Sequence, residues 1–532
     1  DGDLVAFEWS GGETGPTDIY VKAFGNEALR RLTDTPESER DPAWSPDGRS
    51  IAFAREGSSP DRRGVFTISQ LGGAERQVSG SGTNVAWAHD SKSVLVRDRD
   101  AIGPFGFYQI FLDTLKRRRL TQAPLGDGDW RADVSPDGKT LAFIRYQRSG
   151  ISDLYVVPME GGEPRRLTNW NTSIWGLSWT PDGRELVYSV WEPPSSRLFR
   201  INATSAQPNR GSPLADIPWG AEGLSISRPR PGQPARLAFQ TITRDADIHM
   251  MDLEAGLVQD TIQSRPFSNS TRVEASARFS PDGNRIAFVS HRSGVPEIWV
   301  AGRDGSGLRQ ITSLGAEQLV VGGWSPDGAD IAFDAAIEGN SDVYVVGADG
   351  GRLRRLTSEP STDGIPSWSG DGRWIYFAST RGGVMPDVWR IPAGGGEAVR
   401  ITHTGGFEPK ESPDGRFLFY LDGYPAGLRA TGTARVIRVP LGGGEEQVVL
   451  DHVQPFLWSV ALTRIVFVTR GAEFDAIDSY RFDDGRVTRV GRLGFRVPRI
   501  FQHMAVSRDG RWALATNLVR SDSDLMLLDN FQ

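Results

Sequence analysis

The chain of 532 residues carries 60 basic and 67 acidic side chains, and its net charge of −7 offers no general attraction for a phosphate backbone, so nucleic acid is excluded as a default partner. It has no cysteine, which removes disulfides, thiolate metal sites and cysteine nucleophiles, and no run approaches the ~20 apolar residues of a membrane span. The 62 Gly, 33 Pro and 16 Trp, without a collagen-like period, suit an all-β repeat protein rich in turns and aromatics.

The opening residues already read as part of a repeat. Asp1-Gly2 precedes Leu4-Val5-Ala6-Phe7 as Asp47-Gly48 precedes Ile51-Ala52-Phe53, so the chain is expected to begin inside a unit whose earlier part lies upstream. No secretory signal pattern opens it. Asp18-Ile19-Tyr20-Val21 then reads as a strand of β-branched and aromatic residues, and Arg31-Leu32-Thr33 as a short outer strand. Trp44-Ser45-Pro46-Asp47-Gly48 follows, a turn in which Pro presets φ while Asp and Gly accept the tight geometry. The same turn recurs at Asp137, Asp182, Asp282, Asp327, Asp371, Asp414 and Asp509, with steps of 45, 45, 44 and 43 residues where neighbouring copies are intact. Apolar runs such as Leu141-Ala142-Phe143 and Ile331-Ala332-Phe333 follow the turns and suit strands covered on both faces. The basic run Lys116-Arg117-Arg118-Arg119 falls where other repeats place their outer strand and is expected to be a solvated strand edge.

A period of about 40–45 residues with four strands per period is the signature of a propeller blade. The fold class is therefore all-β, with about twelve repeats. One ring closes with about four to eight blades, so twelve imply two β-propellers. Six plus six is favoured, over 1–264 and 265–532, with seven plus five as the rival partition. Leu257 to Ile262 is expected to close the second ring by filling the outer edge of the last unit, because an unpaired outer edge invites aggregation.

The turn, Ile-Ala-Phe, Asp-Ile-Tyr-Val and Arg-Leu-Thr series resembles the TolB-like, WD-type propeller repeat across essentially the whole chain. Asp18-Ile19-Tyr20-Val21-Lys22, Gly395-Gly396-Glu397-Ala398-Val399, Glu411-Ser412-Pro413-Asp414-Gly415 and the terminal Ser523-Asp524-Leu525-Met526-Leu527-Leu528-Asp529-Asn530-Phe531 are similar to the C-terminal propeller region of bacterial winged-helix regulators and Ser/Thr protein kinases. The resemblance implies a periplasmic or extracytoplasmic sensor module, tethered through an upstream effector segment and binding a small ligand or a protein. Neither a kinase nor a DNA-binding segment is present in these residues, and no membrane insertion or nucleic-acid binding is expected of them.

Catalytic motifs are wanting. Gly-x-Ser-x-Gly does not occur, Gly176-Leu177-Ser178-Trp179-Thr180 being the nearest string, and zincin and phosphate-loop patterns are absent too. His403, His452 and His503 lie between outer and inner strands of successive units. His403 precedes its turn aspartate by 11 residues but His503 by 6, so convergence on one metal is not expected, and no cofactor is. Arg145 with Asp153, Arg292 with Glu297 and Arg381 with Asp387 are expected to form salt bridges within blades. Trp44, Trp179, Trp324 and Trp368 are expected to pack between blades. The loops around one mouth of each ring carry Trp130, Arg131, Trp175 and Trp219, then Phe407, Lys410, Phe456 and Trp458, aromatics with a few charges suited to binding a ligand or partner. The expectation is a non-catalytic recognition module. A metal-dependent lyase-type propeller, or the propeller of a peptidase lacking its hydrolase domain, is the alternative.

Overall fold

The computed structural model describes the chain except for residues 1, 12–14, 26–27, 58, 101–103, 124–127, 149–150, 171, 193–194, 218–220, 230–233, 256–259, 269, 317, 338–339, 384, 423–432, 472, 499–501 and 532. The fold is all-β. Among the described residues there are eleven sheets, eight of them four-stranded and antiparallel throughout. Each of these eight runs in chain order from an inner to an outer strand, as in Ser38–Trp44, Ser50–Glu56, Gly64–Ser69 and Arg76–Ser79.

The Pro-Asp-Gly turn explains why the first two strands form a hairpin. In the first complete copy the Ser45 hydroxyl donates to Asp47 Oδ1 at 2.6 Å and accepts from the Ser50 amide at 2.9 Å, while the Arg49 amide donates to the same carboxylate at 3.0 Å. The hydroxyl-to-carboxylate bond recurs at Asp137, Asp182, Asp282, Asp327, Asp371, Asp414 and Asp509. A second module secures the third and fourth strands. Thr168 donates to Asp153 at 2.7 Å and accepts from the Leu154 amide at 2.9 Å, while Arg166 donates to the other Asp153 oxygen at 2.5 Å. Asp18 with Arg31 and Thr33, and Asp342 with Arg355 and Thr357, repeat this cap.

The second strands are buried along their middles, Ile51, Ala52 and Phe53 completely, because sheets pack on both of their faces. Ile19 and Val21 of one sheet cluster with Ile51, Phe53, Phe66 and Ile68 of the next. Indoles stitch neighbouring sheets as well as filling space: Trp87 donates to the Ala43 carbonyl at 2.9 Å, Trp179 to that of Asp133 at 3.1 Å and Trp324 to that of Arg278 at 3.1 Å. Trp44 and Trp368 pack half-buried in the same kind of cluster.

Two compact units result, but they are not 1–264 and 265–532. One comprises Asp1–Ile242 with Ser523–Gln532, the other Thr243–Asp522. The division falls inside two long strands, Ala235–Asp252 and Trp512–Phe531, instead of in a linker. In the first unit, 235–242 and 523–531 complete the sheet that begins with Ala221–Ile226. In the second, Met504–Val506, 512–522, 243–252 and Ser264–Pro266 form the last sheet. Each unit therefore has six sheets, the first of them, Leu4–Trp9 with Asp18–Ala23 and Leu29–Arg31, having three strands.

Closure of the second ring also differs from expectation. Thr261–Ile262 pairs in parallel with Arg492 and Leu493, on the outer strand of the fifth sheet of that unit, and Ser264–Pro266 supplies the outer strand of the last. Residues 257–259 lie outside the described residues. The salt bridges are likewise redistributed: Arg145 pairs with Asp129, Arg292 with Glu274 and Arg381 with Asp363, each acid on the innermost strand of the same sheet. Asp153 is already engaged by Arg166 and Thr168, and Asp387 by Arg400 and the Gly405 amide, which is why the second-strand arginines turn inward. Arg117–Arg119 is indeed an outer strand, its arginines pairing with Asp98 and Asp100.

Candidate recognition sites at the propeller axes

The innermost strands determine what faces each axis. Their pairing with the second strand slips at one place, for example between Arg40 and Ala43, Thr83 and Ala86, or Phe407 and Lys410. At such slips the backbone turns left-handed at Asp41 (φ 54°), Asn84 (49°), Arg131 (33°), Ile365 (56°) and Glu408 (51°), and Phe456 (64°), just before Trp458–Val460, does the same. Asn and Asp tolerate this, whereas the others store strain of about 1–3 kcal/mol each unless held in place. An acid on the preceding sheet does the holding. The Asp41 amide donates to Glu8 at 3.0 Å, Asn84 to Asp41 at 2.9 Å, Ile365 to Asp334 at 2.8 Å and Phe456 to Glu408 at 2.6 Å. Burial raises the Asp334 carboxyl to about 7, against the downward pull of the Ile365 amide and the Ser341 hydroxyl.

In the first unit these positions reach across the opening. Arg131, on Gly128–Val134, lies 3.6 Å from Glu222 on Ala221–Ile226, although Ile174–Trp179 supplies the sheet between them. Crowding by surrounding atoms, then the neighbouring Asp41 charge, raises Glu8 against the pull of Arg40 and Arg131, an effect that its solvent-exposed side chain weakens. Glu8, Asp41 and Glu222 thus stand beside Arg40 and Arg131, a cluster of both signs.

The second unit is arranged differently. Two residues before the turn hydroxyl, or its equivalent at Ala461, its six inner strands carry Arg278, Gly323, Ser367, Lys410, Ser459 and Ala505. All are in register with the second strand, as Arg278 with Ala287, Lys410 with Phe419 and Ser459 with Val466. Four are small, and the two cations stand on the first and fourth of six sheets. Arg278 donates to the carbonyls of Gly322 at 3.0 Å and Ala277 at 2.9 Å. Lys410 Nζ lies 3.4 Å from Glu408 Oε2 and 4.2 Å from the Trp458 ring centroid. Burial, reinforced by Arg278, pulls Lys410 down to about 8, and burial pulls Arg278 down to about 10. Burial raises Glu408 despite Lys410 beside it.

The eight residues singled out in the sequence are dispersed. Arg131 and Lys410 face the axes. Trp130 and Trp175 are half-buried, Trp130 lying 4.5 Å from the Arg97 guanidinium and packing on the core. Phe407 and Trp458 belong to a core cluster at 0% and 1% exposure, so Phe407 is a packing residue and Trp458 offers only its contact with Lys410. Phe456 is half-buried against His503, with 5.3 Å between ring centroids. Trp219 lies outside the described residues. His403 and His452 are exposed, and among the described residues no three His, Asp or Glu side chains gather as a metal site would require. Sequence reading overlooked Glu8, Asp41, Glu222, Arg278 and Glu408. Arg278 carried a usable signal, since it stands at the same offset from its turn as Lys410.

Comparison with known proteins follows the repeat. The TolB beta propeller domain family matches residues 259–449. The chain is 39% identical over 301 residues to an uncharacterized protein of Agrobacterium fabrum, covering 52% of this chain and 95% of that one. It is 30% identical over 201 residues to tricorn protease homolog 1 of Streptomyces coelicolor, covering 34% of this chain and 17% of that one. It is 27% identical over 166 residues to a TolB homolog of Chlorobium luteolum, covering 31% and 34% respectively. The chain thus spans a small part of the tricorn and TolB relatives and nearly all of the Agrobacterium protein.

Proposed function

We propose, for a chain that belongs to the TolB-like β-propeller proteins, a non-catalytic recognition role in which the two ring axes bind a ligand or a partner segment. The supporting observation is the meeting of long charged side chains from non-adjacent inner strands, Arg131 with Glu222 at 3.6 Å. Side chains that only filled space there would be apolar and small, whereas fixed charges in an enclosed, water-reached opening select a ligand by its charge. The resemblance to propeller regions of bacterial regulators is the support for a location outside the cytoplasm, downstream of an effector segment. No cofactor is assigned to it.

A second reading comes from the tricorn protease relative, in which case the propellers would admit or position peptides for a peptidase. One experiment separates the two. A thermal-shift survey of the full chain against anionic, cationic and neutral small molecules and short peptides is run beside a peptide-hydrolysis assay. Stabilisation by one chemical class without turnover supports recognition. Peptide hydrolysis, or lyase turnover requiring a stoichiometric metal, overturns it. Epitope accessibility in spheroplasts tests the location, and a tag reached only after lysis would refute it.

A further inference from the structure

We propose that the axis of the second unit binds a carboxylate, held between Arg278 and Lys410. The inference deepens the recognition reading and rests on it. Residues at this level converge: in the first unit the Ser178 hydroxyl donates to Asp133 at 3.2 Å, the two occupying the same offset on adjacent sheets. In the second unit the four small occupants, Gly323, Ser367, Ser459 and Ala505, leave the space to the two cations facing each other from opposite sheets.

Their charge is incompletely answered. Glu408 is the only carboxylate within 4 Å of Lys410 among the described residues, and one of its oxygens is taken by the Phe456 amide. Arg278 has no carboxylate within 4 Å among the described residues, and its bonds to two carbonyls account for two of five N–H groups. Two cations and one anion leave a single positive charge, which a monoanion neutralises and a phosphate dianion overshoots. The guanidinium supplies planar paired donors suited to a carboxylate, the ammonium a point charge. The half-buried Phe456 ring, whose amide bonds Glu408, gives apolar surface for whatever carries the carboxylate.

The pull of burial on Lys410 gives a reading in the unaltered protein. The charged groups facing it are Glu408 on its own strand and Arg278 opposite, while Ser367 and Ser459 on the adjoining strands are uncharged. An arriving anion raises Lys410 and draws in a proton. Calorimetric titration of the full chain with butyrate, acetyl-trialanine, its C-terminal amide and inorganic phosphate tests this. The expected result is saturable binding of one free-carboxylate probe per chain, with proton uptake at pH 8.5 detected from two buffers of different ionisation heat. Lys410→Met should weaken binding at least tenfold, and the exposed turn variant Arg373→Met should leave it unchanged. Acetyl-trialanine binding tighter than butyrate points to a peptide end, the reverse to a small acid, and either supports the site. Equal binding by the amide, tighter binding of phosphate, no proton uptake, or unchanged affinity in Lys410→Met overturns it. If no carboxylate binds while another class stabilises the protein in the survey above, this site fails and the recognition reading stands. If nothing binds, both fail.

Discussion

Ser45 and Asp47 show how much one turn can do. The carboxylate accepts a hydroxyl and an amide at once, and these bonds hold its pKa below the ordinary value, down to about 2 at Asp371 and Asp414, where an arginine adds to them. A depressed carboxyl stabilises the fold above its unfolded pKa, and that stabilisation is lost as pH falls through the folded value. Eight such turns predict a progressive loss of melting temperature from about pH 4 to about pH 2. Asp371→Asn should flatten part of that slope in a pH series of thermal melts. Trp324 is the other informative residue, 7% exposed in a cluster with Ile331 and Phe333 and bonded to the Arg278 carbonyl. Trp324→Ala is expected to cost about 3–5 kcal/mol through the cavity it leaves. Chemical denaturation measures this, and an unchanged midpoint would refute the packing role. Both residues were legible because their partners lie nearby in the chain or in the same place in every repeat. Arg145 was misread because Asp129 and Asp153 stand opposite it on the two flanking strands, and only the competing Arg166 and Thr168 decide between them.

At the scale of elements, the exchange of strands matters most. Residues 523–531 pair beside 235–242 in the first unit, where Leu525, Met526 and Leu528 are partly exposed. Removing 523–532 leaves Ala221–Ile226 and 235–242 as a two-stranded sheet, and such a sheet is marginal in water. Scanning calorimetry should show the melting of the first unit lowered and that of the second kept. A single unshifted transition would contradict the exchange. The sequence hinted at closure, since the last unit lacks an outer strand of its own. It could not say which short segment would serve, because Thr261–Ile262 and Ser264–Pro266 are both two- or three-residue pieces of ordinary β character. The partner is selected by where the ring brings each edge, and strand propensity has no part in that.

At the scale of the molecule, the second unit is one continuous stretch, Thr243–Asp522, with all six sheets completed from within, whereas the first needs its distant C-terminal strand. Expressed alone, 243–522 should unfold cooperatively with a β-rich circular dichroism spectrum, and 1–242 should not. A disordered 243–522 fragment would refute that division. By itself the chain determined its repeat, its hairpins and their caps, hence the propeller blade, because each of these depends on residues within about one period of one another. The tertiary structure alone decided where one ring ends and the other begins, which acids hold which bulges, and that Arg278 and Lys410, 132 positions apart, face a common opening. Those contacts exist only once six sheets have closed around an axis, and no local pattern encodes the meeting of opposite sides.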